Sequence, residues 1–118
     1  MNNESNCIFC SIAEGKIHSE KIFDDENFFA ILDIHPKAEN HTLLIPKKHY
    51  KNILEMPASL GNELVDAIKR ISLELIKNKK ADGINVAINT GESAGQVIHH
   101  AHVHIIPRKK GDELKSIA

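Results

Sequence analysis

Between Pro57 and Lys79 the apolar residues change period, and this change restricts the fold more than any other stretch. Leu60, Leu64, Ile68, Ile71 and Leu75 follow at steps of four, four, three and four, the stripe of an amphipathic helix with one buried face. Lys77, Lys79 and Lys80 suit the negative end of its dipole, and Asp82-Gly83 is expected to close it. On both sides of this helix the pattern is that of strands. "KIFDDENFFAILDI" reads as two strands, about 21–24 and 28–33, around a polar turn at Asp24–Asn27. "HTLLIPK" is a third, ended by Pro46, "INVAIN" begins a fourth, and His99–Arg108 is the fifth. Residues 7–13 read as a short helix begun by Ser5 or Asn6 and stopped at Gly15. Strands in runs with one dominant helix predict an α+β domain: a mostly antiparallel five-stranded sheet, one long amphipathic helix and a short N-terminal helix. With no repeat, low-complexity tract or linker, the 118 residues are expected to form a single domain, 1–118.

Composition excludes several classes of function. Fifteen basic against sixteen acidic residues leave a net charge of −1, which gives no broad basic surface for nucleic acid or an anionic membrane. No apolar run approaches the roughly 20 residues that a bilayer span needs. The polar start "MNNESNCIFC" lacks the basic and apolar regions of a signal peptide. "GDEL" is followed by four residues and so is no terminal retention signal. A cytoplasmic location is expected. Cys7 and Cys10 form one C-x-x-C, which in a reducing compartment points to metal or redox chemistry before a structural disulfide.

The stretch "HHAHVHIIPR" spends four of its ten positions on imidazole. On a strand His100, His102 and His104 share one face, while His99, Ala101, Val103 and Ile105 form the other. Structural histidines alone would each need buried hydrogen-bond partners. A three-histidine catalytic metal site is a second reading, but alternate residues of one strand lie about 6.6–6.8 Å apart, which makes it hard for three consecutive rings to close on one ion. Nucleophilic catalysis with anion handling is the third: a neutral central imidazole attacks while its neighbours orient it or hold negative oxygens. The preceding loop, "NTGESAGQ", favours this, because its glycines permit turns that aim backbone N–H groups at phosphate.

"GQVIHHAHVHIIPR" resembles the signature of the histidine-triad (HIT) family, in which three histidines alternate with apolar residues and two more apolar residues follow. Upstream, "CIFCSIAEGKI", "FDDENFFAILDIHPKAENHTLLIPKKH" and "NVAINTGESAGQ" are similar to successive blocks of its compact nucleotide-hydrolase (HINT-like) branch, so the likeness covers Cys7 to Arg108. The resemblance implies a purine nucleoside phosphoramidase-like enzyme that cleaves at the α-phosphate through a covalent nucleotidyl-histidine and releases a nucleoside monophosphate. The implied nucleophile is His102, assisted by His104, His100 and His41. Asn89, Gln96 and Val97 fall at positions that meet the phosphate or leaving group. Asp33 matches the carboxylate that binds ribose, although taken alone it reads as a turn aspartate. Ile8, Phe9, Ile12, Ile17 and Ile31 would line the base pocket. Many of these hydrolases have Ser or Thr where this chain has Val97, so a hydroxyl that helps the leaving group depart is missing.

Some family members complete a zinc site with two cysteines and two histidines, one being the first of the triad. Carried over, that set is Cys7, Cys10, His49 and His100, a closed tetrahedral site that is structural and plays no part in the chemistry. A homodimer using the long helix and a strand edge is also implied, with an AMP-like small molecule as ligand and neither nucleic acid nor membrane as partner. The alternatives are hydrolysis of dinucleoside polyphosphates and a nucleotide-binding or scaffold protein without turnover.

Overall fold

The computed structural model describes residues 6–114. A short helix, α1 (Ile8–Ala13), precedes two strands, β1 (Phe23–Asp24) and β2 (Phe28–Leu32), and then β3 (Thr42–Pro46). The long helix α2 (Gly61–Asn78) follows, and β4 (Gly83–Ala87) and β5 (Val103–Arg108) complete the chain. The five strands lie in the order β1-β2-β3-β5-β4, and every neighbouring pair is antiparallel. The fold is therefore the α+β arrangement expected, with a wholly antiparallel sheet.

"FFAIL" and "TLLIP" are nearly continuous apolar runs because both faces of the central strands are covered. On one face Phe28, Ala30, Leu44, Val103 and Ile105 meet Ala67, Ile71 and Leu75 of α2, with Leu60, Leu64 and Ile68 partly buried beside them. The predicted helical stripe is thus the core-facing stripe. On the other face Phe29, Ile31, Leu43 and Ile45 meet Phe9 and Ile12 of α1. His104 pairs with Leu43 across β3 and β5, so the imidazoles belong to the α1 face, away from α2.

Several boundaries differ from the sequence reading, each for a local reason. The N-cap of α1 is Cys7, whose Sγ receives the Cys10 N–H at 3.5 Å; Asn6 lies before it, and Ser5 falls outside the described residues. Gly15 takes φ +78°, the left-handed stop its lack of Cβ allows. The long helix starts after a 3₁₀ turn at Ala58–Leu60 and ends at Asn78, with Lys80 left-handed at φ +63°; Gly83 is already the first residue of β4. Only Phe23 and Asp24 of the first expected strand join the ladder, and β4 stops before Ile88 and Asn89.

The fifth strand differs most. It begins at Val103, so only His104 of the triad lies within it. Its partner β3 ends in Pro46, which has no N–H to extend the ladder. The Pro46 carbonyl is taken instead by the His100 ring, and Ala101 N–H bonds to the Tyr50 carbonyl.

Candidate active site

Six rings form a row across the α1 face. In order they are His49, His100, Phe9, His102, His104 and His41, with successive centroids 4.8, 5.7, 5.3, 5.0 and 5.2 Å apart. The triad thus lies together as its spacing predicted, although β5 carries only its last member. Phe9, expected as a wall of the base pocket, sits edge-on between His100 and His102 and is 3 % exposed.

Hydrogen-bond partners determine which ring nitrogen carries each proton. His102 Nδ1 lies 2.7 Å from the His100 carbonyl oxygen, which can only accept. Nδ1 therefore holds a proton, and in the tautomer this bond selects the lone pair is on Nε2. His41 Nδ1 accepts the Lys37 backbone N–H at 3.0 Å, so the neutral His41 ring is protonated on Nε2. That nitrogen is 3.0 Å from His104 Nδ1 and donates to it, with an Asp33 carboxylate oxygen 3.5 Å away. His104 in turn keeps its proton on Nε2, as a donor beside the His102 ring. Burial is the first cause that lowers the pKa of His104, to about 4, with the neighbouring His102 and His41 adding to it. His41 is lowered as well, by burial, against the pull of Asp33. Both rings are neutral at pH 7.

A second cluster lies at the other end of the row. His100 Nε2 donates to the Pro46 carbonyl at 2.8 Å, which leaves the Nδ1 lone pair 3.3 Å from Cys7 Sγ and 3.6 Å from Cys10 Sγ. His49 Nδ1 is 3.3 Å from Cys10 Sγ, and all four donor atoms lie within 4.8 Å of one another. Tetrahedral zinc with ordinary bond lengths would separate sulfur and nitrogen by about 3.6 Å. Two thiols, two imidazoles and a carbonyl that fixes the ligand tautomer fit that ion. Burial lowers the His100 pKa to about 4, the neutral form a metal requires.

Asp33, His41 and His104 also bring donor atoms within 4.8 Å. They fit a cation poorly, because the Lys37 N–H keeps the His41 proton on the very nitrogen that would have to ligate. A single ion held by all three triad rings is likewise disfavoured: His100 and His102 each commit one N–H to a different carbonyl and turn their lone pairs different ways.

The remaining expected residues are dispersed. Asp33 is a turn aspartate here, its Oδ1 receiving the His35 N–H at 2.9 Å, yet its other oxygen faces His41. Gln96 is buried and its amide is spent on the loop: it accepts from Gly91 N–H at 2.9 Å and donates to the Lys51 and Ile98 carbonyls at 2.8 and 3.0 Å. Gln96 and Gly91 therefore shape the loop, and the Gly91 N–H is not free for phosphate. Asn89 reaches the Gly95 carbonyl at 3.5 Å, and Val97 is 84 % exposed. Phe9, Ile12 and Ile31 are packed in one buried cluster, whereas Ile8 and Ile17 are exposed, so the five do not line one open pocket. A cavity of about 580 Å³ lies elsewhere, lined by residues such as Ile22, Leu32, Arg70 and Glu74. His99, on the opposite side of the run, is half-exposed with its ring 3.5 Å from Glu92.

The atoms that orient the row were missed from sequence: the carbonyls of His100 and Pro46 and the N–H of Lys37. Backbone groups carry no residue signature. Only Pro46, at the end of an apolar run, hinted at a carbonyl left outside the ladder.

An antiparallel α+β domain with a row of oriented imidazoles beside a Cys₂His₂ cluster is the class that fold and site define. The family model described as the HIT domain matches residues 14–111, and the chain belongs to the HIT family. A crystal structure of a Streptococcus mutans protein superposes with TM-score 0.91 at 42% identity, over 99% of this chain and 74% of that one. A zinc-bound histidine triad family protein from Mycobacterium smegmatis gives TM-score 0.87 at 39% identity, over 93% and 80%. The adenylylsulfatase HINT3 of Arabidopsis thaliana is 38% identical over 92% of this chain, which spans 55% of that protein. No helix among the described residues is long and apolar enough to cross a membrane.

Proposed function

We propose that the chain is a nucleotide hydrolase that uses His102 as its nucleophile. The observation that carries this reading is the 2.7 Å bond from His102 Nδ1–H to the His100 carbonyl, which leaves Nε2 with an available lone pair. Nε2 attacks the α-phosphorus, the bond to the leaving group breaks, and a nucleotidyl-imidazole forms; water then releases the nucleoside monophosphate. The His104 Nε2–H stabilises the charge that gathers on a non-bridging oxygen. His41 positions His104 through the bond to its Nδ1. Asp33 retains acceptor capacity for ribose hydroxyls, and the exposed Ile8 and Ile17 offer apolar surface for a base.

Cys7, Cys10, His49 and His100 hold a structural zinc ion in this reading, consistent with their spacing and with the zinc-bound relative. A homodimer would use the edge of β4, where Val86 is exposed, together with the outer side of α2.

The leaving group is tested with adenosine phosphoramidate and diadenosine tetraphosphate, following AMP release and trapping an AMP adduct on the protein. The resemblance favours the phosphoramidate, and turnover of the tetraphosphate alone would replace it by the polyphosphate reading. Val97, exposed and without a hydroxyl, supports a second reading, a nucleotide-binding protein without turnover. AMP binding with no release from either substrate and no adduct would establish that reading and reject the hydrolase.

A further inference from the structure

The ladder of β5 stops at Val103, so the sheet does not hold the peptide that orients the nucleophile. That peptide is anchored at three other points. Ala101 N–H bonds to the Tyr50 carbonyl at 2.7 Å. The His100 ring bonds to the Pro46 carbonyl through Nε2 at 2.8 Å, and its Nδ1 faces the two cysteine sulfurs at 3.3 and 3.6 Å. Between these anchors lies the His100 carbonyl, which receives the His102 proton.

We propose that the Cys7–Cys10–His49–His100 centre positions the nucleophile, a metal on His100 Nδ1 holding the ring whose own carbonyl keeps His102 in its reactive tautomer. The inference rests on reading His102 as nucleophile and these four residues as metal ligands. A metal on Nδ1 confines the His100 proton to Nε2, where the Pro46 carbonyl needs it. Without the metal, that proton can move to Nδ1 and point at a cysteine sulfur, and the Pro46 bond is lost. The carbonyl of His100 then loses an anchor, and the proton of His102 is free to settle on Nε2, which removes the nucleophilic lone pair. Helix α1 adds to the same device: Cys7 caps it, and Phe9 from its first turn wedges against both rings. Cys7, Cys10 and His49 are on this account positioning residues that act through His100.

The test compares zinc-loaded protein with the same protein stripped by a chelator. Two-bond ¹⁵N–¹H NMR correlations read the tautomer of each imidazole, and kcat is measured beside the Kd for AMP. The loaded protein should show His102 protonated on Nδ1 alone. Stripped, still-folded protein should show mixed tautomers and a kcat lower by about 10- to 100-fold, the scale of an ångström misplacement, with AMP affinity kept. Should stripping unfold the chain, Cys7→Ala/Cys10→Ala, which removes both thiols along with the metal, carries the same readouts. A single Nδ1–H tautomer with undiminished kcat in either folded metal-free form overturns the inference. Unfolding of both forms, or failure to bind zinc at all, overturns it equally. The tautomer needs no turnover: a zinc-dependent tautomer without hydrolysis would sink the hydrolase reading alone, and an AMP adduct on a zinc-indifferent His102 would sink this inference alone.

Discussion

The two faces of the sheet are built on different terms. Against α2 the buried cluster is aliphatic and aromatic, and apolar side chains of the right volume satisfy it. Against α1, six residues long, imidazoles join the apolar cluster, and each of these rings depends on a particular donor or acceptor. The α2 face tolerates imprecision because burial is non-directional. The α1 face does not, since one reversed hydrogen bond relocates a proton and changes what a nitrogen can do. Both faces bury an apolar cluster, but only the second carries the chemistry.

Five substitutions or conditions would break or sharpen that division. His102→Ala should lower kcat by on the order of 10⁴ or more while AMP still binds, as loss of a nucleophile does elsewhere; steady-state kinetics with calorimetric titration of AMP would show otherwise if turnover persisted. Phe9→Ala should cost about 3–5 kcal/mol by urea unfolding and also lower kcat, because this ring belongs to the core and to the row at once. Its counterpart Leu75→Ala, on the α2 face, should cost about 2–5 kcal/mol and leave kcat unchanged at temperatures where the protein stays folded. Equal kinetic damage from both would erase the distinction between the faces.

Acid should weaken the imidazole face selectively. His104 titrates near 4 when folded, against an ordinary value of 6.5. Between those values the unfolded chain binds a proton that the folded one does not, so stability falls as pH drops from about 6.5 to 4 and is flat above. Urea midpoints at several pH values should show that loss, and His104→Gln should make it shallower; an unchanged slope would mean His104 is not buried neutral. The smallest effect belongs to Val97→Ser. At an exposed site it should shift stability by less than about 0.5 kcal/mol. Kinetics would then show whether a hydroxyl there speeds release of an amine leaving group, and no change would mean the position does not reach that group.

Much of this was legible in the chain itself. The stripe from Leu60 to Leu75, the apolar runs of β2 and β3 and the Gly15 stop are local patterns, set by backbone geometry within a few residues. The alternation of His100, His102 and His104 was equally local, and it placed the rings together although the first four residues of the expected strand lie outside the ladder. Less legible were the loop and pocket assignments. Gln96 reads as a phosphate ligand only until its amide is seen bonded to Lys51, 45 positions away. Phe9 reads as a pocket wall until α1 folds back and seats it between two imidazoles.

The sequence by itself thus determined which elements form and which chemical groups are available, because periodicity and composition are properties of neighbouring residues. Only the tertiary structure decided which nitrogen holds each proton. For His100 that choice depends on the Pro46 carbonyl 54 positions away and on the Cys7 sulfur 93 positions away, partners brought within bonding distance only when the sheet closes. A tautomer is a property of the assembled hydrogen-bond network, and this network exists only in the folded chain.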